Sequence, residues 1–156
     1  MTYVISDLHG YSIEKLKTLL EKAGFCEDDF LYILGDVIDR NGDGGVGILR
    51  WLLPRPNVQL VLGNHEAMLL ACEFLFDEIT DDSIADFDSE KIEILSNYQL
   101  NGGDVTLKSL AKLNKESPET VAALMSLKRA KKSATILPML LFGRGLELTM
   151  IILTIL

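Results

Sequence analysis

The sequence predicts an α/β fold built on a parallel sheet. Three short apolar stretches, at residues 3–5, 30–34 and 58–62, are typical of buried strands. Apolar residues at helical spacing over residues 12–23, and a second apolar stretch over residues 46–53, predict a helix after each of the first two strands. Alternating strands and helices favour a parallel sheet, and the apolar run at 30–34 predicts that this sheet is covered on both faces.

Length, charge and cysteine content narrow the class of protein. The chain has 156 residues, enough for one domain with a sizeable core, and a formal net charge of -8, which argues against a nucleic-acid partner. Its two cysteines, Cys26 and Cys72, form no disulfide framework or zinc motif, so a reducing compartment is expected. The first residues enter a strand without a signal-peptide pattern, which predicts a cytoplasmic protein.

Metal-ligand and phosphate-binding side chains follow each of the three strands. They are Asp7 and His9, then Asp36, Asp39 and Arg40, then Asn64 and His65. Their spacing along the chain is nearly even, and sites in α/β sheets lie at the carboxyl ends of the strands. We therefore expect one site assembled from three successive β-α units, which includes the only two histidines of the chain.

The types of these residues indicate chemistry at a phosphate group. Carboxylate and amide oxygens together with imidazole suit Mn, Fe or Zn, and the absence of thiolate ligands argues against a structural zinc site. A carboxylate at the central strand can bridge two cations, which together polarise a phosphoryl oxygen and activate a water. A guanidinium suits phosphate oxygens, and an imidazole held by a carboxylate suits a general acid.

Three motifs carry a resemblance to a known family. Asp7-Leu8-His9-Gly10, the segment 35–40 and Gly63-Asn64-His65-Glu66 resemble the N-terminal signatures of the calcineurin-like metallophosphoesterases. Their Asp-Arg and Asn-His-Glu forms resemble the serine/threonine phosphoprotein phosphatase branch, with its bacterial and phage members and the symmetrical diadenosine tetraphosphatases. Asn101-Gly102-Gly103 is similar to a turn of the bacterial members. The resemblance covers about residues 1–130 and implies the N-terminal half of an α/β/β/α sandwich.

The resemblance implies a metal-dependent phosphoesterase that hydrolyses phosphate monoesters with metal-activated water. The substrate it implies is a phosphoserine or phosphothreonine protein or a small phosphate ester, and its cofactors are two divalent metal ions, Mn or else Fe or Zn. The resemblance implies that the metal ligands are Asp7, His9, Asp36 and Asn64, with Asp36 bridging the two ions. It implies that His65 is the general acid and that Asp39 orients it. It also implies that Arg40 binds the phosphate. Glu66 is expected to be an acid at a helix N-terminus, favoured by the helix dipole.

The sequence also departs from the family. Leu62 and Asn41 stand where many members have arginine and glycine, and no histidine follows His65, although the family supplies two more histidines to the second metal. The second metal site is therefore expected to be incomplete. Two alternatives follow: a catalytically impaired fragment, or a hydrolase similar to the diadenosine tetraphosphatases.

Composition divides the chain at about residue 130. We expect a metallophosphoesterase domain over residues 1–130, with a helical cap at about 77–130, and an atypical apolar tail over residues 131–156. The acid-rich stretch 77–93 is interpreted as a solvated part of the cap, with a second cation site as the alternative. The loss of charge and of histidines predicts that the tail is a frameshifted or otherwise aberrant end. Proline, glycine and charged residues interrupt the tail, so no membrane span is expected, and a pair of core strands is an alternative. The basic residues 128–132 leave membrane association or self-association open.

Overall fold

The computed structural model describes residues 1–78, 80–81 and 86–126, and the backbone of residues 150–153. The strands are β1 (Thr2–Ile5), β2 (Phe30–Leu34), β3 (Val58–Val61) and β4 (Met150–Leu153). The helices are α1 (Ile13–Lys22), α2 (Val46–Leu52), α3 (Asn64–Ala71), α4 (Ser89–Leu100), α5 (Asp104–Glu116) and α6 (Pro118–Met125), with a 3₁₀ turn at Glu73–Phe76.

The strands form one sheet in the order β3-β2-β1-β4, and every neighbouring pair is parallel. The α/β class with a parallel sheet is thus confirmed. Because the strands run the same way, the chain leaves β1, β2 and β3 at the same edge of the sheet. The three motifs predicted to meet begin directly after these strand ends.

The fourth strand comes from the tail that the sequence marked as atypical. Thr2 of β1 is in register with Met150, and Ile5 with Leu153. Residues 127–149 and 154–156, which hold the basic segment 128–132 and the rest of the tail, lie outside the described residues. The division of the chain at about residue 130 therefore stays a prediction.

Helix α1 shows how local sequence positions the first β-α unit. The Ser12 side chain accepts a hydrogen bond from the amide of Lys15 and so caps the helix. Leu16 and Leu20 lie on its buried face. The Tyr3 hydroxyl of β1 donates to the carbonyl of Ala23 at 3.0 Å, which joins the end of the helix to the sheet.

The expectation that both faces of the sheet are covered is wrong for β2. Leu31 and Ile33 are wholly buried in the main core cluster, but Phe30 and Leu34 are 47% and 44% exposed. Side chains of a strand alternate between the two faces, so one face of β2 packs against the core while the other is partly open to solvent. An apolar run alone did not distinguish this arrangement from a strand buried on both sides.

The helices after β3 differ in extent from their predicted bounds. The segment after the third motif, rich in Met, Leu, Ala and Phe, predicts a helix over about residues 66–78. In the structure α3 begins at Asn64 and ends at Ala71, where a 3₁₀ turn follows. It starts earlier because the amide of Gly63, before its first turn, donates to the Glu66 carboxylate at 2.8 Å. The described part of the expected cap contains the helices α4, α5 and α6, and its residues 79, 82–85 and 127–130 lie outside the described part. Within the described residues, none of the helices combines the length and apolarity that a membrane span requires.

Candidate metal centre and active site

The loops that follow β1, β2 and β3 are joined through their backbones. The amides of His9 and Gly10 donate to the carbonyls of Asp36 and Val37 at 2.9 and 2.8 Å. Gly35 lies so close to Gly63 that a Cβ on Gly35 would stand 2.6 Å from the Gly63 Cα. The small residues that precede Asp36 and Asn64 therefore let the second and third loops approach each other.

The structure brings Asp7, His9 and Asp36 into one group that can hold a metal ion. One ligand atom from each lies within 4.8 Å of the others, and the carboxylate of Asp7 is exposed while the other two side chains are half-buried. The Nδ1 atom of His9 lies 3.3 Å from the carbonyl oxygen of Ile38. Since a carbonyl can only accept, Nδ1 carries the proton and Nε2 remains available as a metal ligand.

The backbone at these residues lies in a conformation that side chains other than glycine rarely adopt. Asp7, His9 and Asp36 have φ angles of 55°, 37° and 51°, and Asp39 and Arg40 have 76° and 67°. Such residues cost on the order of 1–3 kcal/mol each and persist only where the surroundings hold them. Concentration of this strain at the predicted site residues supports a functional constraint on the three loops.

Asn64 lies directly against the Asp36 carboxylate. With its amide nitrogen turned towards Asp36, it donates to the two carboxylate oxygens at 3.1 and 3.0 Å. A half-turn of the amide presents the oxygen instead, which is the orientation a cation shared with Asp36 requires. The donor set of Asp7, His9 and Asp36 thus fits one metal ion, whereas a second ion has only Asp36 and Asn64 among the predicted ligands.

The side chains of Asp39, His65 and Arg40 form a chain of hydrogen bonds. The Nδ1 atom of His65 is 2.7 Å from Oδ2 of Asp39, and its Nε2 is 3.1 Å from an Nη2 of Arg40. Arginine can only donate, so Nε2 accepts and Nδ1 donates its proton to Asp39. His65 and Asp39 are 1% and 0% exposed, so this pair is shielded from bulk water.

A contact between His9 and His65 places the hydrogen-bonded side chains of Asp39, His65 and Arg40 beside the metal group. The rings of His9 and His65 pack edge to face with their centroids 4.7 Å apart. The His65 amide, at the first turn of α3, donates to Oδ1 of Asp36 at 3.1 Å. All seven site residues named from the sequence therefore lie at one edge of the sheet.

Glu66 has a role that sequence analysis missed. Its Oε1 accepts from the amides of Val37 and Ile38 at 2.8 and 3.3 Å, and its Oε2 accepts from those of Asp36 and Gly63 at 2.9 and 2.8 Å. The buried carboxylate thus fixes the loop that carries Asp36 to the start of α3. Its position three residues after Gly63 indicated a helix cap, but nothing local indicated the bonds to the second loop.

Two hydroxyls from the helical cap complete the site and were also missed. The hydroxyls of Tyr98 on α4 and Thr106 on α5 each donate to Oδ1 of Asp39 at 2.6 Å. Burial, and then the hydrogen bond to Asp39, raises the pKa of the Tyr98 hydroxyl far above its usual range, so Tyr98 stays a donor. The Asn101-Gly102-Gly103 turn between these helices was the one nearby signal in the sequence.

A cleft of about 500 Å³ opens beside His9, the one residue of the metal group that lines it. It lies between the first loop and the segment 41–43, and His9, Tyr11 and Asn41 are among its lining residues. Its volume falls in the range of small-molecule sites.

Comparison with known families agrees with this geometry. A family model described as calcineurin-like phosphoesterase matches residues 2–138. The chain belongs to the calcineurin-like phosphoesterase family. The matched region includes all three motifs and continues beyond the described helices.

The chain is also similar to curated members of this family named "Bis(5'-nucleosyl)-tetraphosphatase, symmetrical". It is 42% identical over 72 residues to the protein of Buchnera aphidicola subsp. Acyrthosiphon pisum (strain Tuc7), which is 45% of this chain and 26% of that protein. It is 42% identical to that of Serratia proteamaculans (strain 568) and 43% identical to that of Salmonella paratyphi B, again over 72 residues and 45% of this chain, and 25% of each relative. The matched stretch therefore spans about a quarter of these relatives' length.

Proposed function

We propose that this chain carries the site of a metal-dependent hydrolase that cleaves phosphate esters or anhydrides, with bis(5'-nucleosyl) tetraphosphates as its substrate class. The observation that carries the proposal is the metal-ligand group Asp7, His9 and Asp36 beside the Asp39–His65–Arg40 chain. Membership of the calcineurin-like phosphoesterase family supports the reaction class.

The residues have distinct tasks in this proposal. Asp7, His9 and Asp36 would hold a divalent metal ion, with Asn64 turned towards Asp36. When bound, the ion would supply Lewis acidity to a water and to the phosphoryl oxygen. Arg40 leaves Nε2 of His65 to bind phosphate oxygens. Nε2 of His65 then takes up a proton from solvent and gives it to the leaving oxygen, while Asp39 accepts from Nδ1–H and stabilises the imidazolium until that transfer.

The substrate class follows from the relatives rather than from the motifs. The motifs resembled those of phosphoprotein phosphatases, but the similar curated proteins are named as tetraphosphatases, so a phosphoprotein substrate lacks comparable support. The cleft beside His9 suits a small ligand. Manganese is the metal we would load first, because oxygen and imidazole ligands suit it, with iron and zinc as alternatives.

An impaired hydrolase is the second candidate. The chain has no histidine after His65, so the second metal of the proposed pair would rest on Asp36 and Asn64. The proposed compartment is the cytoplasm, which free Cys26 and Cys72 suit.

The test is hydrolysis of diadenosine tetraphosphate, p-nitrophenyl phosphate and a phosphoserine peptide by the 156-residue chain with Mn²⁺, alongside His65→Ala. We expect metal-dependent cleavage of the dinucleotide that the variant loses. Cleavage of the peptide alone would contradict the substrate class. Folded, metal-loaded protein without turnover on any of the three would favour the impaired candidate.

A further inference from the structure

The two oxygens of the Asp39 carboxylate bind different parts of the molecule, one the start of α3 and the other the helical cap. Its Oδ2 binds His65, whereas its Oδ1 accepts from the hydroxyls of Tyr98 and Thr106 at 2.6 Å each. Tyr98 and Thr106 are both 0% exposed and belong to α4 and α5, outside the three strand-end motifs. With Oδ1 fixed by two donors, the carboxylate presents its other oxygen to His65.

Thr106 also holds the main chain of Asp39. Its Oγ1 accepts from the Asp39 amide at 3.0 Å while its hydroxyl donates to the carboxylate of the same residue. The φ angle of Asp39 is 76°, so this backbone needs outside support. One threonine thus restrains both the strained backbone and the side-chain rotation of Asp39.

The Asn101-Gly102-Gly103 turn sets the position of these contacts. The carbonyl of Gly102 accepts from the Arg40 amide at 3.1 Å. A Cβ at Gly103 would lie 2.4 Å from the Tyr98 ring, so only glycine lets that ring lie where its hydroxyl reaches Asp39. The turn, which the proposed chemistry did not use, therefore supports both Arg40 and Tyr98.

We propose that Tyr98 and Thr106 are positioning residues for His65 and act on it through Asp39. Neither contacts the reacting atoms. The kinetic consequence rests on the proposed function: as the bond from phosphorus to the leaving oxygen breaks and water forms the new one, Nε2 of His65 gives its proton to the leaving oxygen. Throughout that step Nδ1 keeps its proton, directed at Oδ2 of Asp39.

The first experiment does not require activity. The metal-free full chain is labelled with ¹⁵N-histidine, and its two histidines make assignment simple with His65→Ala as reference. We expect a downfield His65 Nδ1–H signal that moves upfield and exchanges faster with water in Tyr98→Phe and Thr106→Val. Thr106→Ser keeps the hydroxyl and should retain the signal of the parent chain.

Tyr3→Phe is the matched control. Tyr3 is as buried as Tyr98, but its hydroxyl donates to the Ala23 carbonyl. It should leave the His65 signal unchanged. An unchanged signal in folded Tyr98→Phe and Thr106→Val, or an equal change in Tyr3→Phe, would overturn the proposal.

The second experiment compares two leaving groups. p-Nitrophenolate leaves without a proton, whereas phenolate from phenyl phosphate benefits from one. We expect kcat for phenyl phosphate to fall about 10-fold in Tyr98→Phe, with KM and the turnover of p-nitrophenyl phosphate unchanged. Equal losses on both substrates would overturn the positioning role. A parent chain that hydrolyses neither of these esters nor diadenosine tetraphosphate would contradict the proposed function, while the NMR result would still decide the positioning.

Discussion

At the scale of single residues, Glu66 shows how one buried carboxylate holds a metal site together. Each of its oxygens accepts two backbone amides, three from the loop that carries Asp36 and one from Gly63. Glu66 is 4% exposed, so water cannot easily take the place of its carboxylate as the acceptor for these four amides. It holds the amide of Asp36 and does not belong to the group of side chains that can hold a metal ion.

Glu66→Gln tests this role. The amide group of glutamine replaces one accepting oxygen with a donor that faces two N–H groups. We expect the free energy of unfolding to fall by about 2–3 kcal/mol, because buried donors lose a charged acceptor. Affinity for Mn²⁺ should fall about 10- to 100-fold, as for other residues that orient metal ligands.

The measurements are urea unfolding and Mn²⁺ titration, with Glu21→Gln on the exposed side of α1 as the control. The control should change stability by no more than about 0.5 kcal/mol. Equal stability and metal affinity in Glu66→Gln and the control would contradict the assigned role.

Asp29 provides a second test at this scale, through pH. Hydrogen bonds from the N-terminal ammonium and then from the Cys26 amide lower its pKa from 3.8 to about 2. A pKa lowered by folding adds stability that is complete above the unfolded value, about 3.9, and is lost as pH falls towards the folded one. The excess stability of the parent chain over Asp29→Asn should therefore be constant between about pH 5 and pH 7, and it should shrink between pH 4 and about 2.

Unfolding in urea at several pH values measures this excess. The exposed residue Asp28, changed to asparagine, is the control and should leave the pH profile of the parent chain unaltered. A difference between the parent chain and Asp29→Asn that stays constant down to pH 2.5 would contradict the assignment.

At the scale of elements, the close approach of the loops after β2 and β3 builds the site. Gly35 and Gly24 both have positive φ angles, 78° and 80°, but they differ in space. A Cβ at Gly35 would lie 2.6 Å from Gly63, whereas one at Gly24 would approach only the Tyr3 hydroxyl, at 3.9 Å. A side chain at Gly24 would therefore cause backbone strain alone, whereas one at Gly35 would cause backbone strain and a steric clash with Gly63.

Gly35→Ala and Gly24→Ala should therefore lower the free energy of unfolding by different amounts. Gly24→Ala carries only the cost of a left-handed backbone, about 1–2 kcal/mol. Gly35→Ala should cost about 1–3 kcal/mol more, because the loop at Gly63 must move. It should also weaken Mn²⁺ binding, which Gly24→Ala leaves unchanged. Equal losses of stability measured in urea, with equal metal affinity, would show that the approach of the loops is unimportant.

Parts of these elements could be predicted from sequence because their signals are local. Apolar runs predicted β1 to β3, helical spacing over residues 12–23 predicted α1, and residues just after the strand ends lie at one edge of the sheet. The contacts of Asp39 with Tyr98 and Thr106 join residues far apart in the chain, and no periodicity encodes them. The exposed face of β2 depends likewise on what packs there, so the sequence misjudged it.

At the scale of the whole molecule, the helical cap and the sheet form one supporting structure for the site. Tyr98 of α4 and Thr106 of α5 hydrogen-bond to Asp39, and Gly102, in the turn between these helices, accepts from the Arg40 amide. Helix α3 carries His65 and Glu66. The strand Met150–Leu153 extends the sheet beside β1. Core strands were one interpretation of the apolar tail, but its pairing with β1 was not predicted. Family membership was predictable because three separate motifs agreed.

The most direct test of the account is the number of Mn²⁺ ions that the 156-residue chain binds. Electron paramagnetic resonance of the free ion measures this stoichiometry. Asp36→Asn removes the central ligand, and Asp28→Asn is an exposed control. The account predicts one tightly bound ion per chain, lost in Asp36→Asn and retained in the control. Folded protein that binds no ion saturably, or binds it equally well in Asp36→Asn, would contradict the claim that the three strand ends form a metal centre.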